Sequence, residues 1–148
     1  VAALTDLFKD DLLDLIFTNV AAPNVGTAAG LQPSSSDGTM AIALHTGNTI
    51  SSTSTVQTQA EAAYTGYVRQ TVARTVAGWT VASGLVDNDA AITYPISTSG
   101  PETETDVSLG GFNSSEAMQI FGSLAADLVV NSGVTPQFAA GALDVTVV

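Results

Sequence analysis

The residues best equipped for chemistry or recognition crowd into one stretch of the chain. Glu61, Tyr64, Tyr67 and Arg69 lie together, flanking Gly66, and Arg74 and Trp79 follow closely. In 148 residues there are three tyrosines and one tryptophan, and both arginines fall in this segment. A carboxylate, a guanidinium and aromatic faces this close together support two readings. One is a fold-locking corner, with Gly66 supplying a bend, Glu61 paired to Arg69 or Arg74, and Trp79 covering a guanidinium. The other is an interface, because Tyr, Trp and Arg dominate binding hot spots. Composition alone leaves the two readings level.

Other candidates for chemistry are sparse. His45 is the single histidine, so a two-histidine metal site is impossible, and its strand position among alanines reads as structural. Serines are plentiful, but none sits in a Gly-x-Ser-x-Gly elbow, and any Ser-His-Asp site would need His45. Asp87-Asn88-Asp89 opens like a calcium loop yet lacks the following glycine and the distant bidentate glutamate, so it reads as a capped β-turn. Glu102, Glu104 and Asp106 alternate and would share one side of an extended segment. Paired carboxylates serve glycoside hydrolysis in clefts walled by aromatics. Here they stand in a polar, Pro/Gly-containing stretch from Ser97 to Asp106, which reads as a solvated acidic loop. No glycine-rich phosphate loop with its lysine is present, Lys9 being the only lysine. The expectation is therefore no catalytic residues, no metal, no cofactor and no enzyme.

The elements that must position these residues come next. Residues 4–18 carry Leu4, Leu7, Phe8, Leu12, Leu15 and Ile16 at helical spacing, with Asp10 and Asp14 on the other side and Thr5 or Asp6 able to cap the first turn. That apolar face either packs on the domain's own sheet or docks on a neighbouring subunit. Asn19 to Gly38 is rich in Pro, Gly, Ser and Ala and reads as a long loop, of the kind that is functional or flexible. From Gly38 onward the pattern turns to β. Met40, Ile42 and Leu44 alternate with Ala41, Ala43 and His45 as a half-buried strand, and residues 48–59 form a Ser/Thr-rich loop. Val68, Gln70, Val72 and Arg74 share a face within 67–75, and short strands are expected at 79–82, 85–86, 91–96, 107–112, 118–124, 127–130 and 142–147. This predicts a mainly β single domain spanning 1–148: an N-terminal amphipathic helix and loop, 1–38, as a possible docking arm, then an antiparallel β-sandwich or jelly roll over 39–148.

Composition bounds the partners. The chain has 14 acids against 3 bases, a formal net charge of −11. Such a surface repels phosphate backbones and anionic lipid, so no nucleic acid and no membrane are expected. Apolar runs are too short to span a bilayer. Val1 to Asp14 has no basic n-region, so it is not expected to be a signal peptide, and loss of an initiator methionine would explain the start at Val1. Cysteine is absent, which excludes thiolate metal sites and thiol nucleophiles.

Several ordered blocks are similar to a known group of proteins: Ala43-Leu44-His45-Thr46, Glu61 to Arg69, Arg74-Thr75, Gly78-Trp79-Thr80, Asn88 to Pro95 and Thr135 to Leu143. Together they resemble small virion structural proteins of tailed bacteriophages, often labelled tail-fibre proteins. The likeness runs from the N-terminal helix to the last strand, and departs from the family pattern at Gly47-Asn48-Thr49. It implies a virion protein made in the host cytoplasm and brings no catalytic residues. Fibres usually rest on coiled coils, β-helical repeats or intertwined trimers, none of which is visible here. The expectation is therefore a capsid decoration (cement) protein on the outer face of the head, bound to the major capsid protein as a homo-oligomer, a dimer or trimer. A tail-fibre, tail-tip or host-glycan-binding module is the alternative. Candidate interface residues are Leu4, Leu7, Phe8 and Leu12 on the helix and Tyr64, Tyr67, Arg69, Arg74 and Trp79 downstream.

Overall fold

The computed structural model describes residues 2–23, 25–111 and 117–147. It is a mainly β, antiparallel protein with one short N-terminal helix. In order come helix α1 (Asp6–Leu13), a π-helical turn (Asp14–Thr18), and strands β1 (Thr39–Thr46), β2 (Gln70–Ala73), β3 (Trp79–Ala82), β4 (Leu85–Asn88), β5 (Ile92–Thr93), β6 (Glu102–Gly110), β7 (Met118–Val130), β8 (Gln137–Phe138) and β9 (Val145–Thr146). They form a four-stranded sheet in the order β2-β1-β6-β7, a three-stranded sheet β3-β4-β9, and a two-stranded ladder of β5 and β8. By contact the chain divides into two compact units. The first comprises residues 1–38, 73–92 and 138–148; the second comprises 39–72 and 93–137.

The first unit is built around the helix and the β3-β4 hairpin. Thr5 caps α1, its hydroxyl accepting from the Phe8 N–H. The chain then widens into a π turn, and the side chains that go inward are Leu13, Phe17 and Thr18. Phe17 meets Trp79 edge-to-face at 4.9 Å, and both rings are buried. The expected apolar face is turned differently: Leu7 is 74% exposed and Leu4 41%. A π turn adds a residue to one revolution, so the 3.6-residue pattern read from Leu4 does not carry through to the inward side of the later turn. Asp10, expected to face away from the core, instead reaches the hairpin turn and accepts from the N–H groups of Ser83 and Gly84. Asn88 closes the unit. Its amide donates to the carbonyls of Ala90 and Ala139 and accepts from the N–H groups of Ala142 and Leu143, so all its bonding capacity is used. The expected turn at 87–89 is thus largely the end of β4.

The long loop 19–38 is tied down within this unit. Asn19 sits in the left-handed region at the helix end, and its side chain bonds Ser34 and Asp37. Ala22 and Leu31 pair as an isolated bridge. Gly30 makes that closure possible, because a Cβ there would lie 2.2 Å from the Ala22 carbonyl oxygen.

The second unit centres on β1 and β6. Met40, Ile42, Leu44, Val107 and Leu109 supply its apolar core with Tyr94. β1 is buried on both faces from Ile42 to His45, whereas alternation predicted a half-buried strand. The Ser/Thr-rich loop explains this: Gln57 folds onto the sheet and donates to the carbonyls of Ala41 and Ser108. Two further expectations are corrected. Glu102 to Asp106 is strand, not loop, and Met118 to Val130 is one strand rather than two. Phe112, the last residue of the expected 107–112 strand, lies outside the described residues.

An irregularity in β6 reorders its acids. His45 pairs with Asp106, but its neighbour Thr46 pairs with Glu104, leaving Thr105 as an extra residue. Cross-strand partners share a face and adjacent strand residues do not. Glu104 and Asp106, which a plain strand would put side by side, therefore fall on opposite faces, Glu104 on that of Leu44 and Val107.

Candidate interaction surface

The tyrosine/arginine segment is occupied internally. In the second unit the Arg69 guanidinium grips Glu61 with two bonds, 2.6 Å to Oε1 and 2.7 Å to Oε2, a planar fork on a planar carboxylate. The Tyr67 hydroxyl donates to Glu61 Oε1 and accepts from the Leu44 N–H. Glu61 itself bridges to β1 at His45. Tyr67 stacks on Tyr94 at 6.0 Å and meets Tyr64 edge-on at 5.4 Å. Burial raises the pKa of all three phenols, that of Tyr64 to about 12, so they stay neutral donors. The Tyr64 hydroxyl donates to the Pro95 carbonyl and its ring is buried.

Arg74 and Trp79 belong to the first unit and do different work. Arg74 donates to the Leu15 and Ile16 carbonyls at 2.7 and 2.6 Å, and to Ser34 Oγ and the Asp37 carbonyl. A cation at the end of a helix satisfies carbonyls that have lost their intrahelical donors. Of the two arginines open to Glu61 in sequence, Arg69 takes it. Trp79 has Phe17 as its ring partner. Nothing in the sequence near Arg74 signals the helix end it serves, since the two are far apart in the chain and no local pattern connects them.

Of the polar groups singled out for chemistry, His45, Glu104 and Asp106 are buried in the second unit, and Glu102 is half-buried there. His45 is wholly buried, with Nδ1 2.9 Å from the Gln59 carbonyl and Nε2 2.7 Å from Ser108 Oγ. The carbonyl fixes the tautomer: Nδ1–H donates to it, so Nε2 accepts from the Ser108 hydroxyl. Burial lowers the His45 pKa below its usual 6.5, against the pull of the Gln59 carbonyl and nearby acids. This Ser-His contact went unseen in the sequence because the two residues come from different strands. Its partners are all used, and both side chains are closed to solvent. Glu102 holds the corner from below, Oε1 accepting from the N–H groups of Ala63 and Tyr64. Among the described residues no group of three or more His, Cys, Asp or Glu is placed to hold a metal ion.

The first unit leaves several large apolar side chains exposed. Leu4 just before the helix cap, Leu7 on α1, Ile16 in the π turn, and Val20 and Leu31 in the loop are exposed large hydrophobic side chains. Phe8 and Leu12 are half-buried. Covering Leu4 and Leu7 on association would contribute about 2–3 kcal/mol together, scaled from roughly 1.5–3 kcal/mol for one fully exposed leucine. The helix is held to its unit by Leu13, Phe17, Asp10 and Arg74, so its outer residues are not needed for its own anchorage.

No curated protein matches the chain. A family described as Podophage GP4 fiber I protein gp80 matches residues 3–146, from the exposed start of the helix through the last strand. On that match the chain belongs to the Podophage GP4 fiber I protein gp80 family and is a phage virion structural protein.

Proposed function

We propose that this protein is a docking module of the virion fibre, attached to its neighbours through the outer face of the N-terminal helix. The observation that carries this reading is the exposure of Leu7, with Leu4 just ahead of the cap, on a helix already anchored by its other side. The family description supports the fibre as its location. The described residues form two compact β units with one short helix, so length in such a fibre would come from joining modules end to end or along another chain. The module would act as a small homo-oligomer and without chemistry of its own.

A second reading keeps the same surface and changes the partner. As a cement protein the module would sit outside the head and bind major capsid protein subunits, stabilising whichever shell state it prefers. The net charge of −11 favours an outer position, away from packaged DNA. Electron microscopy of intact virions labelled with an antibody to this protein separates the two. Label confined to fibres supports the first reading, and label spread over the head replaces it with the second.

A further inference from the structure

Glu104 is the least comfortable side chain among the described residues. It is wholly buried on the apolar face of the four-stranded sheet, and neither carboxyl oxygen receives a hydrogen bond. A buried carboxylate without donors costs several kcal/mol, so the group avoids the charge by keeping its proton. Two residues back along the same strand stands Glu102, which adds to burial in favouring the proton on Glu104. Glu102 in turn accepts the N–H groups of Ala63 at 2.8 Å and Tyr64 at 3.0 Å. The titratable groups facing Glu104 from other segments are the phenols of Tyr64 and Tyr94, which stay neutral; its cross-strand partners Thr46 and Leu128 do not titrate. Glu61 and Arg69 neutralise each other, and His45 with Asp106 belongs to the opposite face. The carboxyl oxygens of Glu104 thus stay without a donor in the closed corner.

We propose that the buried Glu104 carboxyl acts through its strand neighbour Glu102 as a latch on the Ala63–Tyr64 corner, closed while Glu104 is protonated and released when it ionises. Burial, helped by the adjacent Glu102, raises the Glu104 carboxyl from 4.5 to about 8. In an opened corner the group ionises above about 4.5, while the closed corner keeps the proton until about 8. The opened state therefore binds fewer protons across that window, and the latch weakens as pH rises through it.

Two measurements on the intact protein test this. Carbon-13 NMR should show the Glu104 side-chain carboxyl titrating near 8. Hydrogen-exchange protection factors at the Ala63 and Tyr64 amides should fall by up to about tenfold per pH unit within the window. Glu104→Gln keeps a neutral donor of similar shape and should flatten that dependence. A Glu104 carboxyl that titrates in the ordinary carboxylate range overturns the latch, whether or not the variant folds. So does an unchanged pH slope in a folded Glu104→Gln.

Discussion

The corner at 61–69 and the N-terminal segment 4–20 use their side chains in opposite ways. The corner holds scarce residue types, Tyr and Arg, and turns them inward: Arg69 on Glu61, Tyr67 on Leu44, Tyr64 on Pro95. The N-terminal segment holds common leucines and leaves several of them in water. Interface statistics alone would rank the two the other way round. Rarity in the sequence marks a place where specific geometry is required, and here that geometry is internal. An exposed leucine says little singly; on a helix anchored by its other face it says more.

Substitutions at three positions sharpen or break this contrast. The largest effect is expected inside the N-terminal segment, at Phe17. Phe17→Ala removes the partner of Trp79 and should cost about 3–5 kcal/mol by chemical denaturation. A loss below about 1 kcal/mol would mean that the helix is not anchored as described. Arg69→Ala comes next, at about 2–3 kcal/mol, because Glu61 and the Tyr67 hydroxyl lose a charged partner in a half-buried site. Arg69→Lys should recover only part, since an ammonium does not reproduce the two-pronged grip. The smallest effect on stability is expected at Leu7. Leu7→Ser should shift stability by no more than about 0.5 kcal/mol while lowering incorporation into virions, read by quantitative immunoblot of purified particles. Normal incorporation would remove the helix face from the docking surface.

Much of the secondary structure was legible because it rests on local pattern. Alternation located β1, the strands expected at 79–82 and 85–86 coincide with β3 and the start of β4, and Thr5 capped the helix as its side chain predicts. The misses have a common physical source in single-residue offsets. The π turn after Leu13 and the extra residue at Thr105 each insert one position, and one position changes which side chains face the core. Neither carries a local signature. β6 was hidden by Pro101 and its acids, whose burial among tyrosines only the tertiary fold supplies. For the candidate site, the pairing of Glu61 with Arg69 was foreseeable from charge and proximity. Arg74 at the helix end was not, because the contact joins residues nearly sixty apart in the chain.

The outermost strand of the larger sheet has a consequence for solubility. Nine consecutive residues of β7, from Met118 to Ala126, carry no charge, and a flat uncharged edge of that length invites ribbon growth between molecules. Between the pairs Ser123↔Asp106 and Leu128↔Glu104, residues 124–127 lie opposite the single Thr105. That mismatch breaks the regular register along the edge, which a stacked ribbon would need to be continuous. The crookedness of β7 thus works against edge-to-edge pairing of one copy with another.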